Sequence, residues 1–350
     1  MNSSFRQILP LLLRPYETLQ ISDILKIKEV YNLLGRDGFE NNLLCEKQTR
    51  CYASLVLANV SDDMKYWEEV HLTYVRRNRA ILCLVEKCFE QFCKLGGKTL
   101  SVYENFGAVL SSGVSLGCFA SGDVDFTVSE AELELAKRVF CDNGFKLEAR
   151  KDHASVSNTL LLPYYNGEAL EGRGYWFNIM LKPVARSFMI DQTKTHERLR
   201  LLQTSQLERY NGGPVRLLNP TAMVYFNALH FASEHYYSAS PGMALCCDID
   251  RVVRNRQVDW EELRRWSDED NCGLRVQIAL DICRYFLLTP IPDNVFTNRS
   301  KYYCRLWQCL VNEEQHLLNP QIGYISRLRT ELLSDDKPFL RSLISRLFSR

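Results

Sequence analysis

Two aspartates one residue apart, Asp123 and Asp125, follow the stretch Ser112-Gly113-Val114-Ser115 after seven intervening residues. Val124, Phe126 and Val128 are apolar and alternate with Asp123, Asp125 and Thr127, a period of two that predicts a two-faced strand. On such a strand residues two apart point the same way, with Cβ atoms about 7 Å apart. Two carboxylates so placed can grip one or two divalent cations, and hard oxygen ligands suit magnesium or manganese. Upstream, a glycine in a tight turn lets backbone N–H groups approach an anion, and a neighbouring serine hydroxyl adds a donor. Glycine turn and paired aspartates together suit a nucleoside triphosphate held through its phosphates and metal. Transfer from such a molecule needs mostly positioning and charge neutralisation. An Asp-x-Asp on its own is more often a solvated strand end, so the surrounding elements decide its weight.

Those elements change character along the chain. Residues 1 to about 60 read as an irregular helical lead-in. Asp62 to Phe92 reads as a long amphipathic helix, because Trp67, Val70, Tyr74, Ile81, Val85, Cys88 and Phe92 recur at helical steps. Gly96-Gly97 supplies its stop. From Thr99 short apolar stretches alternate with glycines, and the order strand, glycine turn, Asp-x-Asp strand and capped helix is expected. Ser129 with Glu132 three residues on predicts a capping box opening a helix Glu130 to Cys141, which Asn143-Gly144 ends. Phe145 to Ala149, Ser155 to Leu162 and Tyr175 to Leu181 read as further strands. After Pro214 helices return: Thr221 to Tyr237, Cys246 to Arg254, Trp260 to Trp266 and Leu274 to Leu288. The expected organisation is an N-terminal helical region (1–97), a mixed α/β core (98–213) and a C-terminal helical domain (214–350). The fold class is α+β, a small mixed-sheet core flanked by helices on both sides.

The bulk composition is that of an ordinary soluble protein. The chain has 350 residues, 46% hydrophobic and 24% charged, which gives a prior of about two domains. Lys+Arg 43 against Asp+Glu 42 leaves a net charge of +1, which argues against attachment to nucleic acid by bulk charge. No apolar run approaches the ~18 residues of a membrane span. The N-terminal stretch Ile8 to Leu13 is short and broken by Pro10, so no secretory signal is read. Among 13 cysteines no C-x-x-C pair occurs, and Cys83, Cys88 and Cys93 are spread around a helix. Reduced core thiols in a cytoplasmic protein are the expected state.

The stretch 107–150 resembles the polymerase-beta-type nucleotidyltransferase superfamily, whose motif is a Gly-Ser turn followed by Asp-x-Asp on the next strand. The fuller likeness, over roughly 60–290, is to a bacterial group known only as nucleotidyltransferase family proteins. It rests on Arg77-Asn78, Gly113, Gly122 to Phe126, Gly144-Phe145, His230, His235, Asp248 to Asp250 and Asp259-Trp260. The resemblance implies transfer of a nucleoside monophosphate from an NTP to a hydroxyl or phosphate, with release of pyrophosphate. The acceptor is left open as a small molecule, a glycan or a peptide, with a biosynthetic protein as a conceivable partner. It implies Asp123 and Asp125 as metal ligands, and Gly113, Ser115 and Ser112 as triphosphate contacts. The superfamily's third carboxylate falls on Asn178, which is neutral and a poor base. The arginine usual before Asp-x-Asp is absent from Phe119-Ala120-Ser121, and Ser112 stands where a lysine often precedes the turn glycine.

Other residues have blander readings. His230 and His235, five apart on one helix, would sit about 140° apart, which disfavours shared metal ligation and favours packing roles. Lys182 and Arg186 would meet phosphates at the cleft or lie in a solvated loop. Tyr164-Tyr165 and Tyr236-Tyr237 are read as packing aromatics. Pro338 to Arg350 has the pattern of a basic amphipathic helix, docked on its own domain or lying on a surface. Two rival functions stand beside nucleotidyl transfer. One is a catalytically weakened module that binds a nucleotide or a partner. The other is an Asp-x-Asp glycosyltransferase, which requires a longer α/β region ahead of the aspartates.

Overall fold

A computed structural model describes residues 2–44, 47–120, 123–148, 157–162, 175–180, 207–210, 213–233, 235, 237, 242–270, 272–296, 303–304 and 307–308. Lys182, Arg186, the Tyr164-Tyr165 pair and the segment 338–350 lie outside the described residues.

The N-terminal region is built of regular helices: α1 (Ser3–Leu13), α2 (Ile21–Leu44), α3 (Lys47–Val60) and α4 (Met64–Lys94). The lead-in is thus more ordered than its sequence predicts, with α2 kinked at Gly35, where φ is 68°. In α4 the expected stripe is inward: Trp67, Ile81, Val85, Cys88 and Phe92 are buried. Gly96, at φ 88°, takes the left-handed turn after the helix, a conformation that favours glycine.

The sheet follows. Strands β1 (Ser101–Tyr103), β2 (Asp123–Thr127), β3 (Lys146–Glu148), β4 (Ser157–Leu162) and β5 (Tyr175–Met180) form five strands in the order β1-β2-β5-β4-β3. β2 is antiparallel to β1 and parallel to β5; the remaining pairs are antiparallel. Between β1 and β2 lies helix α5 (Glu104–Ser112), where a strand leading into a glycine turn was expected. Phe106 to Leu110 is buried throughout, and a short run apolar on all sides carries no period by which to tell strand from helix.

Helix α6 (Leu133–Asp142) packs under the sheet after a short 3-10 turn at Glu130–Glu132. The capping box is not formed. The Glu132 carboxylate instead accepts from the N–H groups of Lys98 and Thr99, and the Ser129 N–H donates to Thr99 Oγ1 at 3.0 Å. These two residues therefore anchor the entry to β1.

A hairpin of β6 (Leu207–Tyr210) and β7 (Gly213–Arg216) precedes the C-terminal helices and was not foreseen. A parallel bridge from Leu217 to Val102 ties it to β1. Helices α7 (Pro220–Ser233), α8 (Gly242–Asn255), α9 (Trp260–Glu269) and α10 (Gly273–Leu287) follow the expected segments within a few residues. One buried apolar cluster runs from Phe5 through the sheet to Tyr303, so the helical regions share a core with the α/β unit. Among the described residues no helix is long and apolar enough to cross a membrane.

Candidate active site

β2 occupies an interior position in the sheet, with a neighbour on each side. Val124 and Phe126 point into the core, where the Phe126 ring meets Phe89 of α4 at 6.3 Å and Phe140 of α6 at 5.1 Å between centroids. The alternation leaves Asp123 and Asp125 on the opposite face. Asp123 is half-buried and Asp125 is only 7% exposed. A carboxylate that deep is costly to ionise without compensating charge or donors, and both aspartates interact with other groups of the chain. Position 178 is the direct register partner of Asp125 in the parallel pair, and Trp176 is the partner of Asp123. The strand expected to carry a third acid is therefore the strand beside Asp-x-Asp, with Asn178 opposite Asp125.

The segment between α5 and β2 is held from outside. Gly113 closes α5 in the left-handed conformation at φ 69°, and its N–H goes to Leu110 O at 3.2 Å. The Ser112 hydroxyl donates to Val109 O at 3.1 Å. Ser115 caps a 3-10 turn by accepting from Gly117 N–H, and its oxygen lies 2.7 Å from His71 Nε2. Burial holds the His71 pKa below its ordinary value, so the ring is neutral there near pH 7. The Asn78 amide donates to Leu116 O at 2.5 Å and Phe119 O at 2.7 Å. Asn78, singled out as half of an Arg-Asn pair, thus acts as a bracket from α4 onto the segment entering β2. Arg77 stacks its guanidinium 5.7 Å from the Phe119 ring centroid.

Two features escaped the sequence reading. Glu104, the first residue of α5, has φ 56° and is buried, with its Oε1 3.3 Å from His230 Nδ1. It follows Tyr103, the register partner of Asp125. His230 and His235 also meet: their Nε2 atoms are 2.9 Å apart. The angular argument that separated them assumed a continuous helix. α7 ends at Ser233, and the chain folds back so that the N–H groups of His235 and Tyr237 bond to the carbonyls of His230 and Phe231. Tyr237 is buried with its hydroxyl on Arg275 O, as a packing aromatic.

The Asp248-Ile249-Asp250 segment divides its duties. Asp250 is fully buried between Arg251, Arg254 and Thr289. Arg251 also reaches Leu13 O, and Arg254 reaches Leu287 O, so this cluster locks α1 and α10 onto α8. Asp248 accepts a short hydrogen bond from the Tyr52 hydroxyl. Burial raises its pKa to about 8, against the opposing pull of Tyr52 and Arg251. Asp259 caps α9, accepting from Glu262 N–H at 2.9 Å. Among the described residues no group of three or more His, Cys, Asp or Glu converges as a ready metal cage.

Residues 117–287 match the family described as "Uncharacterised nucleotidyltransferase". The matched span holds Asp123, Asp125, Asn178, both histidines and Asp248, and begins after Ser112, Gly113 and Ser115. A solved structure, an antigenic nucleotidyltransferase-like protein from Paracoccidioides brasiliensis, is similar over 62% of this chain and 96% of that one. The identity is 15% and the TM-score 0.41, a likeness too slight to bear on the site. No curated protein matches the chain significantly.

Proposed function

We propose that the protein is a metal-dependent nucleotidyltransferase, moving an NMP group from an NTP to a hydroxyl or phosphate acceptor with release of pyrophosphate. The observation that carries the proposal is the Asp123–Asp125 pair. It sits on one face of an interior strand, inside the span that matches a nucleotidyltransferase family. Asp123 and Asp125 would hold Mg2+ or Mn2+, and the ion would neutralise the triphosphate and polarise the α-phosphorus. Asp125 is buried and fixed by its strand; Asp123, nearer solvent, would take the ion first. The donors of Gly113 and Ser112 are engaged within α5, and Ser115 is engaged by Gly117 and His71. Any triphosphate contact from that bend would displace these bonds, so the aspartates bear the weight of the reading. Lys182, which follows β5 in sequence, would serve as a further phosphate contact.

Asn178 supports a second reading, a module of the same fold that binds nucleotide without turnover. Asn178, the register partner of Asp125, is neutral where the resemblance implies a third carboxylate. Among the described residues only β1 precedes the aspartates in the sheet, which disfavours the glycosyltransferase. Calorimetry with each Mg2+·NTP, paired with a pyrophosphate-release assay across hydroxyl and phosphate acceptors, tests the proposal. Binding with release is the expected result. Binding without release selects the module, and no binding overturns both.

A further inference from the structure

We propose that a cleft between the starts of helices α7 and α9 is a binding site for an uncharged saccharide. The inference goes beyond the function proposed above and does not depend on it. The cleft encloses about 650 Å3, inside the ~300–1,000 Å3 range of small-molecule sites. Asn219 to Thr221 form one wall, Gln257 to Glu261 with Arg264 the second, and the loop around Asn294 the third.

The chain fixes these walls itself. The Asp259 N–H donates to Thr221 Oγ1 at 2.9 Å, which joins the start of α9 to that of α7. Arg284 of α10 donates to the Pro292 carbonyl at 3.0 Å, and the Val295 N–H reaches the same oxygen at 3.3 Å, so the third wall is held as well. A cleft built in advance spares a ligand the cost of ordering it.

The polar groups that line it are unspent. Gln257, Glu261, Arg264 and Asn294 are exposed, and none makes a hydrogen bond or ion pair among the described residues. Arg264 only donates, Glu261 only accepts, and the two amides do both. A hydroxyl also donates and accepts, so a ring bearing several can satisfy the whole set. Trp260, half-buried, lines the same cleft. The negative face of an indole attracts the slightly positive C–H groups on the apolar face of a sugar ring.

Other ligand classes fit less well. An apolar molecule would strip water from these groups and return no hydrogen bond. An anion would meet the carboxylates of Asp259 and Glu261 against the single cation Arg264. Donors at the helix starts, which often hold anions, are already taken. Asn219 Oδ1 accepts from Ala222 N–H at 2.8 Å, and Asp259 Oδ1 accepts from Glu262 N–H at 2.9 Å.

Calorimetry and saturation-transfer NMR of the full chain with neutral hexoses, N-acetylhexosamines and their disaccharides test the site. The wild type is compared with W260A, W260F and Q257A/N294A. At least one saccharide should bind the wild type with a Kd of about 1 mM or tighter. Affinity should fall roughly tenfold or more in W260A and less in W260F, which keeps an aromatic face. Q257A/N294A should also lose roughly tenfold. Those two side chains hold nothing else in the fold, so this variant stays informative if W260A melts early. A wild type that binds no saccharide of the panel overturns the proposal. Binding that Q257A/N294A leaves unchanged lies elsewhere and overturns it too, and so does a phosphorylated sugar that binds more tightly than its neutral parent. No nucleotide is present in these titrations, so their result is separate from that of nucleotidyl transfer.

Discussion

Asp125 and Asn178 are direct partners in the parallel register of β2 and β5. Partners in register share a face of the sheet, so a carboxylate at 178 would complete a three-acid set with Asp123 and Asp125. N178D is expected to tighten Mn2+ binding in the presence of NTP by about tenfold, roughly 1.4 kcal/mol. Calorimetric titration of Mn2+ into wild type and N178D checks this. Equal affinities would show that position 178 does not face the ion.

Asn78 binds two carbonyls of the segment that delivers the chain to Asp123. N78A leaves both without their donor and is expected to cost about 2 kcal/mol. N78D should cost more, because its carboxylate would meet two carbonyl oxygens. Urea denaturation gives the stabilities, and NTP affinity should fall alongside. A neutral N78A would mean that the bracket is not needed to hold the segment.

Gly117 lies against the His71 ring so closely that a Cβ there would be 2.3 Å from ring atoms. G117A must push the imidazole away from Ser115, at about 1–3 kcal/mol. The double variant G117A/H71A should recover much of that loss, because the obstructing ring is gone. A double-mutant cycle by thermal melting measures the recovery; strict additivity would contradict the packing relationship.

The Asp248 carboxyl, raised to about 8 by burial, makes stability depend on pH. Between its ordinary unfolded value near 4 and its folded value, the native state binds more protons than the unfolded chain. Stability from this group is therefore full at low pH and declines as pH rises through that window. D248N keeps an acceptor for Tyr52 and cannot titrate, so its stability should fall less between pH 5 and 8 than that of wild type. Denaturant midpoints at several pH values decide it, and parallel curves would contradict it.

Much of the scaffold was legible because its periods are clean. The α4 stripe from Trp67 to Phe92 and the alternation of Val124 and Phe126 with the aspartates each identify an element and its buried face. What stayed hidden depended on contacts distant in sequence. Phe106 to Leu110 is buried on every side in α5, so it has no polar face to reveal a helix. Ser129 and Glu132 fit a local capping pattern, but Thr99 and Lys98 arrive to take their bonds. His230 and His235 meet only because α7 stops at Ser233. Nothing in the local sequence marks Glu104 as a residue at positive φ, since its neighbours Tyr103 and Asn105 spell no turn signal.

Calorimetric titration of Mn2+·NTP, with each of the four nucleotides, into wild type, D123N and D125N tests the central claim most directly. At least one nucleotide should bind the wild type in a metal-dependent manner, with affinity reduced tenfold or more in both variants while their melting temperatures stay close to wild type. A wild type that binds none of the four, or variants that bind as tightly as it does, would contradict the assignment of Asp123 and Asp125 to a metal-nucleotide site.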